Sequence, residues 1–358
     1  MRAQTRFNIK TQVITEPYLD LSHSTHPFIS LVLIFMRCLI QKQVTNMGVA
    51  IRDTSDLISK ARKVNTNEFL ELTETVIQQL ANEPKHVKNL RVTGRLVNMP
   101  PKGEVIVIGD IHGDLDSLIY ILKESSFLDK TRADEDIIAV FLGDYGDRGI
   151  YSPEVYHIVL WLKKQFPENV VLMRGNHEGP DDLLAYPHDL PSHLDRKFGE
   201  NGPKVYRKIR ELFNHLYNVV LIEEKLVILH GGAPGQTSTI DDLAFAHKKH
   251  PRETYLEEIL WSDPIEGVRG TYPSPRGAGK LFGEDITDNL LKMLNVKVLI
   301  RGHEPSKEGF KINHSGKALT LFSRKGPPYH NNYGAYLHLD LSQKIENTTH
   351  LLKYIHKF

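Results

Sequence analysis

Five times along this chain a short apolar run stops at glycine beside aspartate, asparagine or histidine. Glu104 to Gly109 (EVIVIG) leads into Asp110-Ile111-His112-Gly113-Asp114, and Ile137 to Leu142 leads into Gly143-Asp144-Tyr145-Gly146-Asp147-Arg148-Gly149. Val170 to Met173 precedes Arg174-Gly175-Asn176-His177-Glu178, Leu226 to Leu229 precedes His230-Gly231-Gly232, and Val298 to Ile300 precedes Arg301-Gly302-His303-Glu304. Continuous apolar runs of this length, bounded by glycine, are the pattern of strands covered on both faces. Helical spacing over Leu115 to Leu122 and Pro153 to Lys164 supplies covering layers, so the expected class is layered α/β. Open α/β sheets hold their ligands at the carboxyl ends of strands, where these polar residues fall. One aspartate after a strand is ordinarily a helix cap, and one buried histidine a satisfied core residue. Five such endings in succession make a site.

The residue types in those endings are Asp, His, Asp, Asn, His and His. Carboxylate and imidazole without thiolate suit manganese, iron or zinc. Six side chains can hold two ions if one carboxylate bridges them, and ions roughly 3.5–4 Å apart are a recurring device for in-line attack on phosphorus.

Composition narrows the alternatives. With 358 residues, Lys+Arg 45 against Asp+Glu 44 and a net charge of +1, the chain lacks the basic footprint of a nucleic-acid binder. Its 40% hydrophobic and 25% charged residues are those of a globular protein with a sizeable core. A single cysteine, Cys38, excludes an intrachain disulfide scaffold and a cysteine-rich zinc site. Residues 28–40 are apolar apart from Ser30 and Arg37, yet shorter than the roughly 20 residues a bilayer span needs. Glu16 and Asp20 stand where a signal peptide wants basic residues, and no small-residue cleavage pattern follows. The expectation is an N-terminal extension over 1–46 outside the functional argument, a start at Met47 being one reading of it, and a cytoplasmic protein with no membrane partner. Leu57, Ile58, Ala61 and Val64, then Phe69, Leu72, Val76 and Leu80, predict helices before Pro84. Residues 47–100 are therefore expected to be a helical region packed on a catalytic domain over 101–358. Alternation from Phe310 to Leu352 predicts an antiparallel sheet.

In this order, GDIHGD, GDYGDRG, RGNHE, HGG and RGHE resemble the phosphoprotein phosphatase (PPP) family of metal-dependent serine/threonine phosphatases, in the calcineurin-like metallophosphoesterase superfamily. Leu260-Trp261-Ser262-Asp263-Pro264 resembles a further family motif, and the likeness, closest in style to the compact archaeal members, covers Glu104 to Leu341. The resemblance implies a central β-sandwich flanked by helices, with a dinuclear metal site at the strand ends. It implies two divalent ions, manganese first, with iron, zinc, cobalt or nickel as alternatives. Asp110 and His112 would bind one ion, Asp144 would bridge, and Asn176, His230 and His303 would complete the second site. His177 would be the general acid for the leaving alkoxide, with Asp147 orienting it and stabilising the imidazolium. Arg148 and Arg276 would grip phosphate oxygens, guanidinium matching two at once, and Asn176 and Tyr329 would lie on the substrate side. The implied reaction is direct attack by a metal-bridging hydroxide on phosphorylated proteins, without a covalent phosphoenzyme. Hydrolysis of dinucleoside polyphosphates or other small phosphoesters is the alternative within the same site chemistry. A weakly catalytic metal-binding scaffold is the other, and the His177–Asp147 pair argues against it. Regulatory subunits leave no mark in the sequence.

Some positions depart from the family pattern. Gly146 stands where valine is usual and predicts looser packing. Ser323-Arg324-Lys325-Gly326-Pro327-Pro328-Tyr329 replaces the usual Ser-Ala-Pro-Asn-Tyr, and Ala233-Pro234-Gly235 follows the HGG run. Asp114 and Asp116 read as caps or first-turn residues and Arg174 as structural. His247, His250, His314, His338, His350 and His356 read as packed or solvated.

Overall fold

In the computed structural model, which describes residues 53–358, the glycine-terminated runs are strands of two sheets. One sheet orders Ile355–Lys357, Ala335–Asp340, Glu104–Ile108, Ile137–Phe141 and Val170–Leu172. Its last three strands are parallel, Ile106 facing Ala139 and Phe141 facing Leu172, so their carboxyl ends share one edge. The other sheet has eight strands: His86–Val87, Leu90–Thr93, Leu96–Met99, Val219–Ile222, Leu226–Leu229, Val298–Arg301, Ala318–Leu321 and Phe310–Asn313. Every residue of Ile137–Phe141, Val219–Ile222, Leu226–Leu229, Val298–Arg301 and Ala318–Leu321 is buried, which requires cover on both faces. The two sheets are the expected central sandwich with helices outside. They meet where Gly109 N–H donates to Ser323 Oγ (2.8 Å) and where Met173 bridges to Tyr217. Truncating Ile228, wholly buried in this core, to alanine would cost about 2–5 kcal/mol.

A helical layer lies to one side. Asp53 caps Thr54–Lys63 by accepting from the Ser55 and Asp56 N–H groups, and a reciprocal Asn65–Glu68 box starts Thr66–Ala81. These helices pack on Ser152–Gln165 and Gly202–Phe213, with Leu190–Phe198 alongside. Lys197 donates to Ala61 O (3.0 Å) and Arg62 O (3.2 Å), carbonyls in the last turn of the first helix, and pairs with Glu154 (2.6 Å). The buried Lys163 donates to Glu83 Oε1 (2.9 Å), Pro167 O (2.9 Å) and Val170 O (3.1 Å). Among the described residues no helix is long and apolar enough to cross a membrane.

The fold departs from the sequence reading at residues 86–99 and in the tail. Residues 47–100 were expected to be helical, but helix ends at Ala81 and residues 86–99 are strands of the larger sheet, Leu96 pairing in parallel with Val219. Two- to four-residue strands carrying Arg91 and Asn98 are too short to display a period; they pair with one another in succession, and Leu96–Met99 joins them to a strand distant in sequence. The tail is mixed rather than antiparallel throughout: Ala318–Leu321 runs antiparallel to Phe310–Asn313 but parallel to Val298–Arg301, and Thr348–Tyr354 is a 3₁₀ helix. The readings of residues 1–46, of the 28–40 stretch and of Met47 lie outside the described residues.

Candidate active site

At the strand ends the backbone turns through conformations that ordinary side chains resist. His112, Asp144, Asp147, Arg148 and His303 have φ of 44°, 53°, 64°, 63° and 71°. Left-handed backbone at non-glycine residues persists where the surroundings over-determine it, and it clusters at functional sites. Gly175 lets the Asn176–His177 turn close in, because a Cβ there would collide with Asp144 Oδ1. Glu178 fixes the two loops together: its carboxylate accepts from Asp144 N (2.7 Å), Tyr145 N (3.1 Å), Gly175 N (3.0 Å) and Tyr156 OH (2.8 Å). Sequence reasoning missed this role, since Glu178 stands at the end of a motif whose other members look like the ligands. Gly146 does not loosen the packing as expected. A Cβ there would lie 2.9 Å from the Tyr156 ring and 3.4 Å from Leu190 Cδ1, so Tyr156 fills the space that valine would take.

The six expected ligands come together beside these turns. His112 donates Nδ1–H to Gly146 O (2.8 Å), which leaves Nε2 3.3 Å from Asp144 Oδ2 and 3.9 Å from Asp110 Oδ2. His230 donates Nδ1–H to Leu142 O (3.0 Å), which leaves Nε2 3.1 Å from Asn176 Oδ1 and 3.5 Å from Asp144 Oδ1. His303 Nδ1 lies 3.1 Å from the same Asn176 oxygen. Thus the two oxygens of Asp144 face different histidines. Asn176 Oδ1 meets only acceptor nitrogens, and turning the amide would satisfy them with N–H; with the oxygen inward, Asn176 would offer a donor atom to a cation.

Electrostatics agrees with the donor chemistry. Burial, then the neighbouring charges of Asp110 and Glu178, pushes Asp144 well above the usual carboxylate range. Burial also raises Asp110, against the opposing His303 N–H and Arg301. Burial holds His112, His230 and His303 well below the ordinary imidazole range, which keeps them neutral with a lone pair to give. Crowded carboxylates and neutral imidazoles, two of them (His112 and His230) with the tautomer fixed by a backbone carbonyl, are a donor set that divalent cations take.

Beside the ligands, His177 Nδ1–H donates to Asp147 Oδ2 and His177 N–H to Asp144 Oδ1 (3.0 Å). The His177 ring stands edge-on to His112, centroids 4.7 Å apart. Burial works to raise the Asp147 carboxyl, but hydrogen bonds from His177 and His188 outweigh it and hold Asp147 below the usual range. On the rim, Arg148 donates from Nη1 to Pro187 O (2.7 Å) and Asp189 Oδ2 (3.3 Å), and its guanidinium lies close enough to Tyr329 for the two to influence each other's charge. The Tyr329 ring lies 5.6 Å from His112 and edge-on to Phe322; burial pushes its hydroxyl up to about 12. Arg276 reaches the opposite side, where Nε pairs with Asp263 Oδ2 at 2.5 Å, and Asp263 also takes Arg301 Nη2 (2.9 Å). The divergent loop adds Arg324, whose buried guanidinium donates to His112 O and Pro327 O and ties the Tyr329 loop to a ligand loop. Asp114 caps Leu115–Glu124 through Ser117 N–H, and Arg174 donates to Glu178 O (2.6 Å), both structural as read. His314 is buried between Thr287 and Ile265 O and is a packed residue.

A sandwich with this cluster at its strand ends defines the calcineurin-like phosphoesterase family, which the chain matches over residues 103–307 and to which it belongs. Within that class it falls among the serine/threonine-protein phosphatases. It is 34% identical over 239 residues to a serine/threonine-protein phosphatase 4 catalytic subunit of Saccharomyces cerevisiae, covering 66% of this chain and 74% of that one. It is 34% identical over 249 residues to a probable serine/threonine-protein phosphatase of Encephalitozoon cuniculi, covering 69% of this chain and 52% of the relative, so it spans about half of that protein. Among solved structures it is similar to a Saccharomyces cerevisiae serine/threonine phosphatase with similarity to human PP5, at a TM-score of 0.64 and 25% identity, over 82% of this chain and 90% of that one. The family and the donor set together imply divalent metal ions.

Proposed function

We propose that this chain is a metal-dependent phosphatase that removes phosphate from phosphoserine and phosphothreonine in proteins. The observation that carries the reading is the Asp147–His177 pair set against a six-donor cluster in which Asp144 faces two histidines. Asp110, His112, Asp144, Asn176, His230 and His303 would hold two divalent ions. When bound, such ions polarise the phosphoryl oxygens and make water nucleophilic near neutral pH. His177, held through Nδ1 by Asp147, would give its Nε2 proton to the departing serine or threonine oxygen as the P–O bond breaks. Alkoxide is a poor leaving group without that proton, and a placed acid is worth about 10²–10⁴ in rate. Arg148 and Tyr329 on one side and Arg276 on the other would bind the remaining phosphate oxygens.

Manganese is the proposed ion, because carboxylate, imidazole and amide donors without thiolate suit it. Residues 101–358 are read as the catalytic part, supported by the two helices and three strands of 54–99. A cytoplasmic place is part of the reading, supported by one cysteine in 358 residues.

The experiment is phosphate release from a phosphothreonine peptide by metal-stripped protein, with and without manganese. Release restored by manganese supports the proposal, and His177→Asn should then lower it by about 10²–10⁴. No release with any divalent metal from a folded protein overturns it. Faster turnover of a dinucleoside tetraphosphate would replace the substrate class.

A further inference from the structure

We infer that His188, backed by Tyr206, is a positioning residue for the leaving-group acid; this rests on the proposed role of His177. Asp147 does not serve His177 alone. Its Oδ2 accepts from His177 Nδ1–H and also from His188 Nδ1–H at 2.8 Å, while Oδ1 accepts from Leu190 N–H at 2.6 Å. With Nδ1–H given to the carboxylate, His188 Nε2 is the acceptor for the Tyr206 hydroxyl at 3.0 Å, which sets the tautomer from behind. Tyr206 stands on the Gly202–Phe213 helix, so the chain of bonds runs from the helical layer to the reacting edge.

The neighbours of His188 do related work. Pro187 O takes Arg148 Nη1 (2.7 Å), Asp189 Oδ2 takes the Arg148 N–H (3.0 Å), and Leu190 N–H holds Asp147. Four consecutive residues, 187–190, therefore bond either to the partner of the acid or to the expected phosphate arginine. A carboxylate anchored on one oxygen can still turn about its Cβ–Cγ bond and carry the His177 ring with it. His188 anchors the second oxygen from another direction and keeps His177 Nε2 aimed at the site. Partners one bond removed from a working side chain typically alter activity 10–100-fold, and productive geometry demands tolerances near 0.5 Å. No sequence motif points to His188, because it lies in a Pro-containing loop far along the chain from Asp147.

The test uses leaving groups of unlike need. Threonine oxygen leaves a phosphothreonine peptide only with a proton, whereas nitrophenolate leaves p-nitrophenyl phosphate without one. Full-length protein with manganese is assayed on both, with kcat and KM separated. His188→Ala should lower kcat on the peptide by about 10–100-fold, with a loss at least about fivefold smaller on p-nitrophenyl phosphate and little change in KM. His188→Asn, whose amide N–H can stand where Nδ1–H stood, should recover most of that loss. Tyr206→Phe should show the same substrate gap at about two- to fivefold on the peptide. Equal losses on both substrates, or no recovery in a His188→Asn protein that melts like the parent, overturn the inference. If His188→Ala does not fold, a Tyr206→Phe protein without the substrate gap overturns it. His177→Asn is the control: without a gap there, the acid assignment itself fails, whereas a gap there and none at His188 sinks only the positioning role.

Discussion

Lys163 and Asp144 are equally hidden, each about 1% exposed, yet their surroundings are opposites. Lys163 sits in the helical layer with Glu83 and two carbonyls, one acceptor for each N–H. Lys197 likewise has Glu154 and the last-turn carbonyls of Thr54–Lys63. Asp144 instead shares its cavity wall with Asp110 and Glu178, and their charges raise its carboxyl further after burial has raised it. Buried charge answered from within the chain holds layers together. Buried charge of one sign, facing neutral imidazoles, is left for a partner of opposite sign.

That contrast can be broken by substitution. The largest effect is expected at Asp144→Asn, where activity should fall more than about a hundredfold and bound metal should drop by elemental analysis. In metal-free protein the same change should raise the melting temperature, because one of three crowded carboxylates is gone; a lowered melting temperature would sink the account of repulsion. Glu83→Gln should do the reverse, costing about 3–5 kcal/mol by leaving Lys163 without its counter-charge while the rate per folded molecule stays the same. Unchanged melting would show that the two carbonyls suffice for Lys163.

The smallest effect concerns pH. Burial pulls His157, packed near Phe69 in the helical layer, down to about 4 from an ordinary 6.5. Between those values the unfolded chain holds the extra proton, so stability is present above pH 6.5 and is lost as pH falls toward 4. Denaturant unfolding of His157→Phe at pH 7 and pH 4.5 should show a smaller acid loss than the parent. Equal losses would assign the slope to other groups.

The same division decides what could be read from sequence. That Asp110, Asp144, Asn176, His230 and His303 would be gathered at one edge was legible because each stands within three residues of the end of a buried apolar run, and the strand that places it is local. The strands of 86–99 were not, since two to four residues show no period and the strand that ties them to the sheet, Leu96–Met99, pairs with Val219–Ile222 far down the chain. Helices Leu190–Phe198, Gly202–Phe213 and Glu284–Leu294 were also missed although each buries one apolar face, the first two being parted by the Gly199–Asn201 turn. Arg276 was placed on phosphate through the resemblance, while its ion pair with Asp263 needed three dimensions. Gly146 shows the reverse error: a missing side chain read as slack is occupied by Tyr156 from another helix.

Glu178 has a consequence for exchange. Its single carboxylate gathers backbone N–H groups from both the Asp144 and the Gly175 turns, and Tyr156 steadies it from behind. The pocket is thereby assembled by the chain itself, so an arriving ion has little loop ordering to impose. A chelator should then empty such a site without unfolding its walls, and returning the ions should restore turnover at the speed of binding rather than of refolding.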